Sequence, residues 1–306
     1  MPFDDVPRGR GPWPARNDAQ SVARWLTARL GGEEAREAEA LVRLLMDEVS
    51  GLSRADRVVN RWCASESELE RLALMADRCD AGEPVQYILG KAHFFGLDFT
   101  CDERALIPRP ETEELLAGAL ERVRDSRKPL RVLDIGTGTG ILPIAWKSQR
   151  PNDEVHGLDI EAEALALAKS NSTAHGLSIT WHQVDALDPI QMARVASTPF
   201  DVILSNPPYI PESEQTSLSP TVREWEPGSA LFVPNNQPLV FYERIAQGCV
   251  VEDWLVPGGW LAVECHRDGA HAVLDLIPGN WPGRVCERDL QGNWRMVFAQ
   301  RPQLTD

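Results

Sequence analysis

From residue 130 onward the chain alternates short β-rich apolar runs with helical segments, and that alternation leaves few architectures open. Strand-like runs at 130–135, 154–159, 179–184, 201–205, 259–264 and 294–299 are interleaved with helix-like segments at 140–149, 161–175, 238–254 and 267–277. Strands that return to a sheet through helices lie parallel, so the pattern predicts an α/β fold: an open, mainly parallel sheet with helices on both faces. Ligands in such sheets bind outside the carboxyl ends of the strands. The chemistry-bearing residues are therefore sought at those ends.

Upstream the periodicity is helical. Val22, Trp25, Leu26 and Leu30 share a face, as do Ala38, Leu41, Val42, Leu45, Met46 and Val49, and then Leu69, Leu72, Ala73 and Ala76. Three short amphipathic helices ending near Gly82-Glu83-Pro84 predict a small helical domain at 17–84. The run His93-Phe94-Phe95-Gly96-Leu97-Asp98-Phe99-Thr100 changes to a β pattern. A hairpin is expected at about 92–107, within a connector at 85–110, with Phe94 and Phe95 as hairpin core or as substrate contacts. Residues 111–306 form the α/β domain. Residues 1–16 hold Pro2, Pro7, Gly9, Gly11, Pro12 and Pro14 with few apolar groups, and are expected to be a disordered tail.

Composition narrows the function classes. At 306 residues the chain fits one large domain or two ordinary ones. A chain of this size buries about three quarters of its unfolded surface, so neither disulfide nor metal is needed to hold it. The six cysteines are scattered without a CxxC pair, and Cys265-His266 with His271 match no zinc spacing. No metal is expected. With 31 Lys+Arg against 46 Asp+Glu, a net charge of −15 disfavours non-specific nucleic-acid binding. No 18-residue apolar stretch and no signal-length apolar run occurs, which predicts a cytoplasmic protein without membrane attachment.

The first strand of the alternating region runs into Asp134-Ile135-Gly136-Thr137-Gly138-Thr139-Gly140. Alternate glycines let the chain turn sharply into a helix and let a ligand approach bare backbone, while the helix N-terminus offers free N–H groups. A dinucleotide fingerprint needs glycine where Ile141 stands, so GxGxxG fails. The next strand ends in Asp159, whose carboxylate can accept two ribose hydroxyls or simply cap the following helix. Asp185, after the third strand, can accept from an adenine amino group or close an ordinary turn.

The run Asn206-Pro207-Pro208-Tyr209 follows the apolar strand at 201–205. Two prolines stiffen the loop and supply no N–H, leaving its carbonyls free to accept. The Asn206 carboxamide oxygen and the Pro207 carbonyl can together take both hydrogens of a planar –NH2 group, with Tyr209 stacked on its plane. An amide nitrogen is a feeble nucleophile, so its catalyst must work by positioning, which supplies up to about 7–11 kcal/mol.

The glycine loop matches the DxGxGxG loop of class I S-adenosylmethionine methyltransferases. Together with Asn206-Pro207-Pro208-Tyr209 and Leu106-Ile107-Pro108-Arg109-Pro110-Glu111-Thr112-Glu113, it resembles the protein-(glutamine-N5) methyltransferases of the HemK/PrmC type. These modify the glutamine of the Gly-Gly-Gln loop in class 1 peptide chain release factors. Glu83-Pro84-Val85-Gln86-Tyr87-Ile88-Leu89-Gly90 and Glu226-Pro227 with Ala230-Leu231-Phe232 extend the likeness over most of the chain. The resemblance implies a Rossmann-like class I methyltransferase sheet with a helical N-terminal domain joined by a β-hairpin. It implies S-adenosylmethionine held by Asp134, Gly136, Thr137, Gly138, Thr139, Gly140, Asp159, Asp185, Ala186 and Asn206. The substrate glutamine falls to Asn206, Pro207, Pro208 and Tyr209, with Asn206, Pro207 and Tyr209 as the catalytic set.

The implied reaction is in-line methyl transfer to the amide nitrogen. S-adenosylhomocysteine leaves, and the surplus proton, acidic once the nitrogen is alkylated, passes to a carbonyl or water without a strong base. Two segments depart from the family pattern. Ala186 stands where some members carry a large aromatic, and 289–295 matches the C-terminal strand motif only loosely. Arg109 and Glu111 can brace the substrate or close a salt bridge. Because the Asn-Pro-Pro-Tyr loop is shared with DNA adenine methyltransferases, amino-group methylation of nucleic acid stays open. So do glutamine methylation of a ribosomal protein and a catalytically silent binding module.

Overall fold

The computed structural model describes residues 11–30 and 35–303. The chain forms two compact units, Met1–Gly90 with Pro220–Trp225, and Lys91–Ser219 with Glu226–Asp306.

In the first unit, α1 (Ala19–Arg29) starts where Asp18 accepts from the Ser21 N–H, and α2 (Ala35–Ser50) follows. A short α3 (Arg54–Val59) leads to α4 (Glu66–Asp80), which opens on a reciprocal capping box between Ser65 and Glu68. The apolar stripes expected from the sequence meet in one core built on Val22, Leu26, Val42, Leu45, Met46, Leu72 and Ala76. The unit does not stop at residue 84. Pro84 caps a further helix, α5 (Val85–Leu89), and buried Ile88 joins the same core, so the helical region runs to Gly90, where φ is +67°. Residues 1–10 of the expected disordered tail lie outside the described residues. Residues 11–16 are irregular, and Trp25 Nε1 donates to the Pro12 carbonyl at 2.7 Å.

The second unit opens with a hairpin, β1 (Lys91–Phe94) and β2 (Leu97–Thr100), closed by Phe95 and Gly96 at positive φ. Two consecutive positive-φ residues match the right-handed twist of a tight hairpin. The hairpin is therefore shorter than expected, and 101–109 is a loop leading to α6 (Pro110–Arg122). Phe94 is hairpin core, edge-on to Phe99 with ring centroids 6.2 Å apart.

The alternating region follows as β3 (Arg131–Ile135), α7 (Ile141–Gln149), β4 (Glu154–Asp159), α8 (Ala162–Ala174), β5 (Thr180–Gln183), α9 (Pro189–Val195) and β6 (Phe200–Ser205). Next come β7 (Ile210–Pro211), α10 (Pro220–Trp225, which belongs to the first unit), β8 (Phe232–Val233) and α11 (Val240–Val251). The chain ends with β9 (Leu255–Glu264), α12 (Ala270–Asp275), β10 (Val285–Arg288) and β11 (Trp294–Gln300). Seven strands form one sheet in the order β10-β11-β9-β6-β3-β4-β5, with β11 antiparallel to both of its neighbours. Side chains alternate across it. Leu133, Ile135, Ile203, Leu261 and Val263 pack with α11 and α12 on one face, and Val132, Val202, Leu204 and Ala262 with α6 and α7 on the other. Because β3 pairs in parallel with β4 on one side and β6 on the other, the chain direction switches beside β3, and a crevice opens at its carboxyl end.

Candidate active site

A cavity of about 350 Å³ occupies that crevice, within the range of roughly 300–1,000 Å³ for small-molecule sites. Asp134, Gly136, Thr137, Gly138, Thr139, Asp159, Asp185, Ala186, Asn206, Pro207 and Pro208 all line it. Gly140 and Tyr209 do not.

The glycine loop is pinned by β4. Gly136 and Thr137 donate their N–H groups to the Leu158 carbonyl at 3.0 and 2.9 Å, and Gly138 N–H donates to Asp159 Oδ2 at 2.8 Å. A Cβ on Gly136, at φ +76°, would meet nothing within 4 Å, so its bare backbone faces open space. Gly140 is a glycine for another reason. At φ +84° its Cβ would stand 2.9 Å from Ala168 Cβ and 3.1 Å from the Trp181 ring, so the residue lets α7 start against α8 and β5. Gly140 thus has a packing duty and does not line the cavity in which the other glycines of the loop stand.

Asp134 is buried at the end of β3, and neither carboxyl oxygen has a hydrogen-bond partner among the described residues. Burial, opposed by the nearby Thr137 hydroxyl and aided by the charge of Asp159, pushes its carboxyl up to about 7. The capping alternative for Asp159 does not hold, because Glu161 is the N-cap of α8 and no side chain caps it; Asp159 Oδ1 instead accepts from Glu161 N–H at 3.0 Å in the turn before the helix. Burial first, and repulsion from Glu161 after it, raise the Asp159 carboxyl above the usual range. Each oxygen keeps a lone pair for a further donor. Asp185 closes a turn by accepting from Leu187 N–H at 2.8 Å, yet still reaches the cavity wall.

Asn206 sits one residue beyond β6. Its Nδ2 donates to Thr112 Oγ1 at 3.1 Å, and Thr112 Oγ1 donates to Glu264 Oε2 at 2.7 Å. Neither the Asn206 carboxamide oxygen nor the Pro207 carbonyl accepts a hydrogen bond among the described residues. Thr112 and Glu264 went unnamed as site residues. The signals were present: Thr112 lies in the Pro110-Glu111-Thr112-Glu113 run, and Glu264 is a carboxylate at the end of a legible strand.

Tyr209 stands beside the cavity rather than in its wall. Ile210 N–H bonds to the Leu231 carbonyl as β7 joins β8, and this draws Tyr209 toward the core, its ring 6.0 Å from His266 at 52°. Burial, with Glu264 nearby, raises its hydroxyl pKa. The ring expected to stack on a substrate amide stands beside His266, and Tyr209 is not among the residues that line the cavity. Arg109 closes a salt bridge to buried Glu226, whose other oxygen accepts from Ile107 N–H at 3.2 Å. Glu111 accepts from Gln291 Nε2 at 3.3 Å. Residues 289–293 form the turn between β10 and β11, in which buried Asp289 accepts from Asn293 N–H at 2.8 Å. Among the described residues no helix is long and apolar enough to cross a membrane.

Two family models match the chain, the PrmC N-terminal domain over 21–90 and the Methyltransferase small domain over 112–222. The release factor glutamine methyltransferase of Chlorobaculum tepidum is 39% identical over 248 residues, 79% of this chain and 83% of that protein. The release factor glutamine methyltransferase of Deinococcus radiodurans is 36% identical over 277 residues, 90% of this chain and 95% of its own length. The solved catalytic domain of hMettl16 shares the fold, with a TM-score of 0.52 at 15% identity over 81% of this chain and 87% of that one.

Proposed function

Because the chain belongs to the release factor glutamine methyltransferases, S-adenosylmethionine-dependent enzymes that methylate a release-factor glutamine, we propose that Asn206 and Pro207 hold the substrate side-chain amide at the wall of the β3 cavity. The observation that carries it is the pair of free acceptors, the Asn206 carboxamide oxygen and the Pro207 carbonyl, on a loop that two prolines stiffen. Two acceptors match the two hydrogens of a primary amide and leave the nitrogen lone pair for reaction.

The residues of the cavity fit the cofactor. The orphaned Asp134 carboxyl is an acceptor for a cationic amino group, since a buried polar group without a partner is costly. Asp159 offers acceptors for ribose hydroxyls, and the bare backbone around Gly136 permits close approach. Asp185 and Ala186 complete the adenine side of the wall, where alanine gives room instead of a stacking ring. When bound, S-adenosylmethionine supplies an electrophilic methyl group on a sulfonium.

The protein's own contribution is orientation. Asn206 and Pro207 hold the amide plane so that the nitrogen faces the methyl donor, and the proton released on alkylation has the Pro207 carbonyl or water as its acceptor. The substrate is the glutamine of the Gly-Gly-Gln loop of class 1 factors, and the enzyme works in the cytoplasm, where those factors act. A net charge of −15 speaks against nucleic acid as the substrate.

The test is peptide mapping of a class 1 release factor after incubation with enzyme and cofactor. The expected result is one added methyl on the Gly-Gly-Gln glutamine, absent with Asn206→Ala. Methyl transfer to a ribosomal protein or to DNA, with none on the factor, would overturn it.

A further inference from the structure

An asparagine can grip an amide only if its own carboxamide stands the right way round, and its oxygen and nitrogen ends have nearly the same size and shape. Something must choose between them. Asn206 Nδ2 lies 3.1 Å from Thr112 Oγ1, and Thr112 Oγ1 lies 2.7 Å from Glu264 Oε2. The Thr112 hydroxyl has a single proton. Because that proton is engaged by the carboxylate, the hydroxyl oxygen is an acceptor toward Asn206. Thr112 and Glu264 are each 1% exposed, so water does not compete for these positions. The three residues come from the first turn of α6, the loop after β6 and the end of β9.

We propose that Thr112 and Glu264 are positioning residues that set the polarity of Asn206, building on its role as holder of the substrate amide. Glu264 takes the Thr112 proton, Thr112 takes an Asn206 proton, and the Asn206 oxygen is left facing the substrate –NH2. Protonating Glu264 reverses the chain. The carboxylic O–H then donates to Thr112, the Thr112 proton turns to Asn206, and Asn206 presents its own –NH2 to the substrate –NH2.

The groups facing Glu264 are Arg295 from β11, Arg109 and Glu111 at the start of α6, Tyr209 beyond β6, Tyr242 from α11 and the adjacent Cys265. Arg295 also pairs with Asp289, and Arg109 with Glu226. Burial, opposed by the Thr112 hydrogen bond and the two arginines, pushes the Glu264 carboxyl up to about 7. The reversal therefore belongs to the pH region around 7.

The experiment measures kcat and KM on a release factor against pH for Thr112→Val, Thr112→Ser, Glu264→Gln and Asn206→Ala. Thr112→Val keeps the shape and loses the hydroxyl, and kcat should fall on the order of 10–100-fold with KM for S-adenosylmethionine little changed. Thr112→Ser keeps the hydroxyl and should recover kcat to within about threefold, a difference of less than one hydrogen bond. Glu264→Gln retains an acceptor oxygen but cannot titrate, so the acid limb of kcat near 7, read at saturating S-adenosylmethionine so that Asp134 does not contribute through cofactor binding, should vanish. A Thr112→Val enzyme with near-normal kcat, or a Glu264→Gln enzyme with the same acid limb, overturns the proposal. An active Asn206→Ala enzyme would instead remove the role of Asn206 itself, and an inactive one beside an active Thr112→Val sinks only the relay.

Discussion

Gly138 donates its backbone N–H to Asp159 Oδ2 at 2.8 Å, so the glycine loop after β3 and the carboxylate at the end of β4 are one construction. Asp159 therefore shapes the cavity as well as lining it. Asp159→Ala should lose both a ligand acceptor and the loop's anchor, weakening S-adenosylmethionine by about 1.5–3 kcal/mol, or roughly 10–150-fold in Kd. Titration calorimetry reads this directly, and an unchanged Kd would take Asp159 out of the site.

Gly140 tests a packing role. Gly140→Ala puts a methyl 2.9 Å from Ala168 Cβ at a φ of +84°, combining a clash with a left-handed strain. A loss of about 2–4 kcal/mol in unfolding free energy is expected, measurable by urea denaturation. The change should appear without ligand present, because Gly140 does not line the cavity.

Asp134 gives the apoenzyme a pH dependence with a definite sign. Its folded pKa, about 7, lies above the ordinary 3.8, so the folded state holds a proton that the unfolded state releases. Stability from this group is full below pH 3.8 and is lost as pH rises to about 7. Glu264, pushed up to about 7, acts in the same direction. Urea midpoints at pH 5 and pH 8 should differ in wild type, and Asp134→Asn should shrink the difference. A cationic ligand at Asp134 favours the ionised form, so S-adenosylmethionine should bind more tightly at pH 8 than at pH 6. The opposite trend would contradict the assignment.

Glu226 anchors the loop that carries Arg109. Its side chain is 1% exposed, bonded to Arg109 and to Ile107 N–H. Glu226→Ala leaves a half-buried guanidinium and a backbone donor unpaired, costing about 2–4 kcal/mol of stability. Since Ile107 and Arg109 line the cavity, Kd for S-adenosylmethionine should rise as the melting temperature falls. A lower melting temperature with unchanged Kd would show that the loop's anchor and the cavity are independent.

Most of the sheet was legible because its strands are apolar runs buried on both faces. β10 was not, since Val285-Cys286-Glu287-Arg288 is an edge strand with a bulge, whose charged residues hide the period. α6 was also missed, although Pro110 at its first turn and Leu115, Leu116 and Ala119 form a start signal and a stripe. α5 was hidden by Pro84, which breaks a helix when inside one and here opens one.

Sequence alone determined what local backbone chemistry dictates. Alternate glycines force a turn after β3, prolines stiffen the loop at 207–208, and apolar periods of two and 3.6 separate sheet from helix. Tertiary structure alone decided that Tyr209 leaves the cavity wall, that Gly140 serves packing, and that Asn206 meets Thr112 and Glu264. The last two bonds join residues 94 and 152 positions apart. No local periodicity encodes such a meeting, because it exists only once the sheet has brought α6, β6 and β9 to one end of a common core.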